Sequence, residues 1–313
     1  MTITEDPAPK TTAKPRRARY LLDSERLLGP ALVTPAVVYL VLVVAYPLVL
    51  AFLYAFSDVT TGSQSLHFVG FQTFIAAIKD PVFLTSLTNT VIFTAISQIL
   101  VVVLSTMLAF VLTTNFRGRW FVRFLILMPW TTPVALSAVI WLWMLDSIFS
   151  PFDWFAQVLG IVPPGGHIVF LGQSGLAMGS VIALQTWRIL PLATVIMMAG
   201  LSAIPADVSD AAEVDGAGFW RRLFGITLPL LSPVMTVALL FGIVFTFTDM
   251  AVVYVLTGGG PGNATQVLAS WAFLKGINGG DLGVGAADAL FMFPVLLGLA
   301  AVMLRLASRA EVG

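Results

Sequence analysis

Cysteine is absent from the 313 residues. That excludes a disulfide framework, a thiolate metal site and a cysteine nucleophile. Charge is scarce: Asp, Glu, Lys and Arg make up 10% of the chain, against about 25% in a soluble domain. An excess of one sign is also missing, with 16 basic and 16 acidic residues. No net field therefore draws nucleic acid to the chain. The two histidines, His67 and His167, lie far apart without a second ligand at metal-binding spacing, and both read as loop residues. None of the four lysines (Lys10, Lys14, Lys79, Lys275) follows a glycine, which rules out a Walker A phosphate loop. No serine or carboxylate constellation suggests hydrolysis.

What is present is apolar. Hydrophobic residues make up 58% of the chain, and mean hydropathy is +0.95. This excludes an ordinary cytosolic enzyme and a disordered chain, and the runs lack the polar–apolar alternation of a membrane barrel. Charge-free stretches run from Leu27 to Ser57, Pro81 to Phe116 and Phe124 to Leu145. Others are broken once, by Arg188, Asp249 or Asp288. A helix needs roughly 20 apolar residues to cross the hydrocarbon. The runs predict six spans near 31–56, 85–113, 124–146, 174–200, 230–256 and 283–305, in an all-α, polytopic membrane protein. Six spans put both termini on one side, and 13 of the basic residues fall on that side against Lys79 and Lys275 on the other. The positive-inside bias makes the termini cytoplasmic. The N-terminal region is too long and polar for a cleavable signal peptide.

Pro35, Pro47, Pro129, Pro133, Pro191 and Pro294 fall within spans and kink or interrupt them. Pro129 and Pro133, four apart, leave carbonyls unsatisfied, which is tolerable where backbone is buried in protein or lines a wet cavity. Arg188 and Asp249 are charges inside spans, costing at least about 2.5–3.5 kcal/mol each on an insertion scale. Two readings stay open for them: a structural ion pair, or contact with a polar substrate. Asp288 lies near a span end and reads as an interfacial carboxylate wetted by headgroups. Trp130, Trp187 and Phe245 stand beside polar intramembrane groups. An apolar ring next to a hydrogen-bonding group suits a sugar.

The inner segment from Leu201 to Pro229 carries the sharpest pattern. Pro205 is placed to open a helix, Asp207 and Asp210 favour its dipole end, and Gly216 ends it. Trp220, Arg221 and Arg222 then begin a second short helix suited to the interface, with Pro229 opening span five. Asp210-Ala211-Ala212, Gly216 and Ile226-Thr227-Leu228-Pro229 resemble the EAA loop of ATP-binding-cassette importer permeases, E-A-A, three residues, G, nine residues, I-x-L-P. The extended form A-A-x-x-D-G-A is matched by Ala211 to Ala217, through Asp215. Asp210 replaces the usual Glu and is one methylene shorter. Phe68-Val69-Gly70-Phe71, Asn89-Thr90 and Tyr254 to Gly262 resemble the carbohydrate-uptake, maltose-type branch.

The resemblance implies a type I importer permease fold: a tail over 1–26, a permease domain over 27–306 in the lipid bilayer of a bacterial inner membrane, and a short tail over 307–313. It implies a second permease subunit, a cytoplasmic ATPase dimer and an extracytoplasmic substrate-binding (lipo)protein as partners. ATP is then hydrolysed by those partners, and no cofactor is bound by this chain, which is not itself an enzyme. The helix bearing Asp210, Ala211, Ala212, Asp215, Gly216 and Ala217 would couple to the ATPase. Counted from the matched motifs, the family's sugar contacts fall on Trp130, Gln185, Arg188, Leu192, Phe245, Thr246 and Asp249. The expected cargo is an oligosaccharide, a disaccharide such as trehalose, or a polyol, with the main site in this subunit or in its partner. Arg188 also suits a phosphorylated polyol such as glycerol-3-phosphate. A proton-coupled secondary transporter, with Asp249 and Asp288 as relay, and a non-transporting scaffold are the readings from other classes.

Overall fold

The computed structural model describes residues 25–310, apart from Gln64 and Pro164. Residues 1–24 of the expected basic tail, and 311–313, lie outside the described residues. Among the described residues the chain is helical, with isolated bridges at Ser57–Phe68, Thr60–Ser63 and Thr60–Asp281.

The chain divides into two units, 1–51 and 52–313. The first contains most of the helix Gly29–Ala55, the first span. Its backbone widens into a π-helical turn at Val41–Ala45, where the Tyr46 N–H donates to the Val41 carbonyl. Pro47 follows directly and has no N–H for the ordinary α-helical bond. A π-turn just before a proline absorbs that missing donor without breaking the helix.

In the second unit, Pro81–Thr113, Ser174–Ala203, Phe219–Phe247 and Leu282–Arg305 are each long and apolar enough to cross a membrane. Arg119–Thr131 and Val134–Met144 pass the same test together but are bent by 102°. Taking the bent pair as one span gives six, in agreement with the charge-free runs.

Three details differ from the sequence reading. The third span is not one helix over 124–146: it breaks at Thr132-Pro133, with Thr132 in extended conformation. The fifth does not open at Pro229. It starts at Phe219 and runs through a second π-turn, Leu223–Thr227, where the Leu228 N–H donates to the Leu223 carbonyl just before Pro229. Trp220 to Arg222 are therefore its first turn rather than a separate interfacial helix. At its other end it stops at Phe247, and a separate helix, Ala251–Leu256, follows.

Packing follows membrane logic. The second span buries Ser86, Asn89, Thr90, Thr94, Ser97, Gln98 and Ser105 along one face and exposes Val91, Ile99, Val103 and Met107. Small and polar residues mediate close helix approach in lipid, where apolar faces gain nothing from leaving the solvent. The second and fourth spans meet along this face, through Val101 against Ile189 and Ala193, and through Ala109 and Met197 with Leu231. Asn89 also donates at 3.0 Å to the carbonyls of Ala264 and Gln266. Thr90 Oγ1 accepts from Leu268 N at 2.8 Å. These bonds fix the glycine-rich loop after Leu256 to the start of the second span.

Asp288 is not a wetted carboxylate. It is 0% exposed, and neither carboxylate oxygen has a hydrogen-bond partner. Its burial follows from the helix approach one turn earlier. Gly285 abuts Gly276 and the Ala272 carbonyl so closely that a Cβ there would lie 2.6 Å from Gly276 N. Nearby, Lys275 Nζ pairs with Asp80 Oδ2 at 2.8 Å, and Asp80 caps the second span by accepting from Val82 N. Burial pushes the Asp80 carboxyl up, but Lys275 and the amides of Val82 and Phe83 outweigh this and hold it below the usual range.

Candidate functional site

Two regions matter: a polar cluster between spans and the segment after the fourth span. The cluster begins with Gln185 and Arg188, three apart and hence on one face of the fourth span. Arg188 Nη2 donates to Gln185 Oε1 at 3.0 Å and to Asp249 Oδ2. Asp249 stands in the break between Phe247 and Ala251, where its Oδ1 accepts from Val252 N at 2.8 Å and so caps the short helix. The break thus positions the carboxylate opposite the guanidinium. Thr246 Oγ1 accepts from Gln185 Nε2 at 3.0 Å and from Gln98 Nε2, on the second span, at 2.9 Å.

The two in-span charges that the sequence singled out are therefore partners, with side chains only 11% and 8% exposed. Arg188 still reaches a cleft of about 180 Å³, lined by Trp130, Thr132, Val134, Arg188, Ile189 and Phe245. Trp130 and Phe245 meet edge to face, with ring centroids 5.7 Å apart. They are 39% and 41% exposed. The 102° bend puts Trp130, Thr132 and Val134 at the cleft by opening the backbone around Pro133.

Of the seven expected contacts, Trp130, Arg188 and Phe245 line the cleft. Asp249 backs Arg188. Gln185 and Thr246 are fully buried and touch only the network behind it. Leu192, one turn past Arg188, is half-buried and is not part of the lining. Gln98 was missed by sequence reasoning, although the Ser86–Ser105 polar spacing marked its face. Thr132, Val134 and Ile189 carry no sequence signal of their own.

The segment after the fourth span is a helix, Ala206–Val214, preceded by Pro205 in extended conformation. It ends as the sequence demands. Gly216 is left-handed, φ +71°. Its N–H donates to the Glu213 carbonyl at 3.0 Å, and Ala217 N–H to the Ala212 carbonyl at 2.9 Å. This pair of bonds is the Schellman stop, which a glycine makes without steric cost. Ala212 is buried and lines a pocket with Val208, Phe110, Phe219 and Ile226, while Asp210, Ala211 and Asp215 are exposed and Ala217 is half-buried. Val214 is 88% exposed, and Trp220 and Phe224 stack on one another, also exposed. The helix therefore rests on its Val208–Ala212 side and presents Asp210, Ala211 and Val214 outward.

His167 has a structural role. Its Nδ1 lies 2.8 Å from Asp153 Oδ2, and Asp153 Oδ1 accepts from Ile168 N at 2.9 Å. His167 and the Ile168 amide hold the Asp153 carboxyl below the usual range. Among the described residues no cluster of metal-ligating side chains occurs.

Comparison with known proteins gives the same picture. Residues 102–312 match the family model described as binding-protein-dependent transport system inner membrane component. The chain is 32% identical over 293 residues to the sulfoquinovosyl glycerol transport system permease protein SmoG of Agrobacterium fabrum, covering 93% of this chain and 94% of that protein. It is also 32% identical over 281 residues to the trehalose/maltose transport system permease protein MalF of Thermococcus litoralis, covering 90% and 94%. Its fold is similar to a chain in the crystal structure of a bacterial ABC transporter involved in import of the acidic polysaccharide alginate, with TM-score 0.75 at 18% identity over 90% of this chain and 96% of that one. A family match over about two thirds of the chain, joined to near full-length relatives, settles membership: this protein belongs to the inner membrane components of binding-protein-dependent transport systems.

Proposed function

We propose that this chain is one permease half of an ATP-binding-cassette importer, moving an uncharged carbohydrate by alternating access. The observation that carries the proposal is the Ala206–Val214 helix, stopped at Gly216 and presenting Asp210, Ala211 and Val214 away from the bundle. An exposed valine beside a carboxylate and a small alanine is a surface shaped for a partner's groove. The partner is a cytoplasmic ATPase dimer, which supplies the ATP hydrolysis. A second permease completes the pore, and an extracytoplasmic binding protein delivers the substrate. Both termini then face the cytoplasm, as the basic residues require.

The electrostatics of the cleft favour an uncharged ligand. Asp249 already meets the charge of Arg188, so an anionic group would have to compete with a carboxylate for the guanidinium. Two ring faces and a neutralised polar pair match the C–H faces and hydroxyl edges of a sugar. At about 180 Å³ the cleft is smaller than a typical ligand pocket of roughly 300 Å³ or more. That fits a surface completed by the second permease. One observation favours the glycerol-3-phosphate reading: Arg188 lines the cleft and its buried Nε has no hydrogen-bond partner, so a turn of the side chain would free a donor for an anion. The proton-coupled reading needs Asp249 free to release and take up protons, whereas Arg188 and Val252 N hold it.

The test is uptake into proteoliposomes containing this chain and its co-purified partners, with neutral disaccharides, polyols and glycerol-3-phosphate as cargo. Uptake of a neutral sugar that requires ATP and survives an uncoupler is the expected result. Uptake by the chain alone, abolished by an uncoupler, overturns the proposal. Preference for glycerol-3-phosphate overturns the neutral-cargo part.

A further inference from the structure

Gln98 has no place in the functional reading so far, yet it is 4% exposed near the middle of the second span. A buried primary amide in a membrane helix is costly unless it is bonded. Its Nε2 donates to Thr246 Oγ1 at 2.9 Å. Room for it is made by Gly242, one turn before Thr246 on the same face of the fifth span. A Cβ on Gly242 would collide with the Gln98 amide oxygen and lie 2.8 Å from its Cδ. The glycine, the threonine and the glutamine thus form one fitted contact between the second and fifth spans.

Thr246 Oγ1 has two acceptor sites. Gln98 takes one and Gln185 takes the other. With its NH₂ on Thr246, the Gln185 amide has only its oxygen left to face Arg188, and Arg188 Nη2 donates to it at 3.0 Å. A flipped Gln185 would set donor against donor. The Gln98 bond fixes the position of the Thr246 oxygen on which the Gln185 amide is anchored. We propose that Gln98 is a positioning residue, which fixes the Gln185 amide through Thr246 and thereby holds Arg188 in its orientation between Asp249 and the cleft. The proposal rests on the cleft-facing reading of Arg188. It adds that the orientation is set from the second span, so that any shift of that span against the fifth changes the polar face offered to substrate.

The absence of cysteine allows a direct test without a known ligand. In the intact importer complex, Thr132→Cys places one thiol in the lining of the cleft. The readout is the ratio of its labelling rates by an anionic and a cationic methanethiosulfonate reagent, which reports the local charge. Gln98→Leu is expected to shift this ratio toward the anionic reagent by about threefold or more, as Arg188 loses one of its acceptors and turns toward the cleft. Thr246→Val, nearly isosteric, should do the same, and combining it with Gln98→Leu should add nothing. Gly242→Ala, which displaces the Gln98 amide, should follow them. Thr246→Ser, which keeps the hydroxyl, should match the parent. An unchanged ratio in Gln98→Leu and Thr246→Val, or effects that simply add, overturns the proposal. Arg188→Gln leaves Asp249 unpaired and must move the ratio the other way, toward the cationic reagent. If it does not, the cleft-facing reading of Arg188 is what fails. Melting midpoints of each complex separate these outcomes from global unfolding.

Discussion

The Arg188–Asp249 pair allows a structural role to be separated from a transport role. Both side chains are about nine-tenths buried, and each is the other's counter-charge. Asp249→Asn leaves a buried guanidinium with Gln185 Oε1 as its remaining acceptor. Arg188→Gln leaves a buried carboxylate with only Val252 N as a donor. Breaking a buried pair from one side costs about 3–5 kcal/mol, mostly through the charge left behind. Removing both charges removes that penalty as well. The double variant Arg188→Gln/Asp249→Asn should therefore be more stable than either single variant, although it carries more changes. Thermal midpoints and membrane abundance of the four forms measure this. Uptake should behave differently and stay low in the double variant, because the polar pair facing the cleft is gone. A double variant as unstable as the two singles combined would refute the charge-pair energetics. One that recovers stability and uptake together would refute the substrate role and leave the pair purely structural.

Asp288→Asn should raise the thermal midpoint, because the carboxyl is fully buried with both oxygens unbonded; a drop of several degrees would reveal a counter-charge that compensates it. Gly285→Ala should destabilise the complex by about 1–3 kcal/mol, since the added methyl meets the Gly276 backbone rather than a flexible side chain; a neutral midpoint would contradict that close approach. The Asp153 tie should depend on pH in one direction only. Its carboxyl titrates below the usual value in the folded state, so the stability it lends is complete above about pH 4 and is lost as pH falls through that depressed pKa. Exchange protection of the Ile168 amide, which donates to Asp153, reads this out; protection already lost above about pH 5 would contradict it.

Much of the helical layout was legible because intramembrane charge is costly, and charge-free runs therefore mark the spans. Pro47 was visible as a kink and Pro229 as the opening of a span. Their outcome was not, because a π-turn just ahead of each absorbs the missing donor while the helix continues. The break at Thr132-Pro133 was half-legible from the paired prolines, whereas its 102° angle depends on packing. The break after Phe247 had no warning: Thr248, Asp249 and Met250 include neither glycine nor proline, and what holds it is the tertiary bond from Asp249 to Arg188. Asp288 was misplaced because its nearness to a span end suggested wetting. The Gly276–Gly285 contact that draws it inward joins residues from different helices. Gly216 was read correctly because its demand is local: a helix stop with positive φ.

The central claim is that the Ala206–Val214 helix links this permease to an ATPase. The most direct test is to purify the tagged chain in mild detergent, as the parent and as Gly216→Val, and to identify what accompanies it. Valine at a φ of +71° cannot hold the Schellman stop without strain. The parent should carry an ATPase, a second permease and a binding protein, and Gly216→Val should lose the ATPase while keeping the second permease. An ATPase bound equally by both forms, with ATP-driven uptake intact, would contradict the claim.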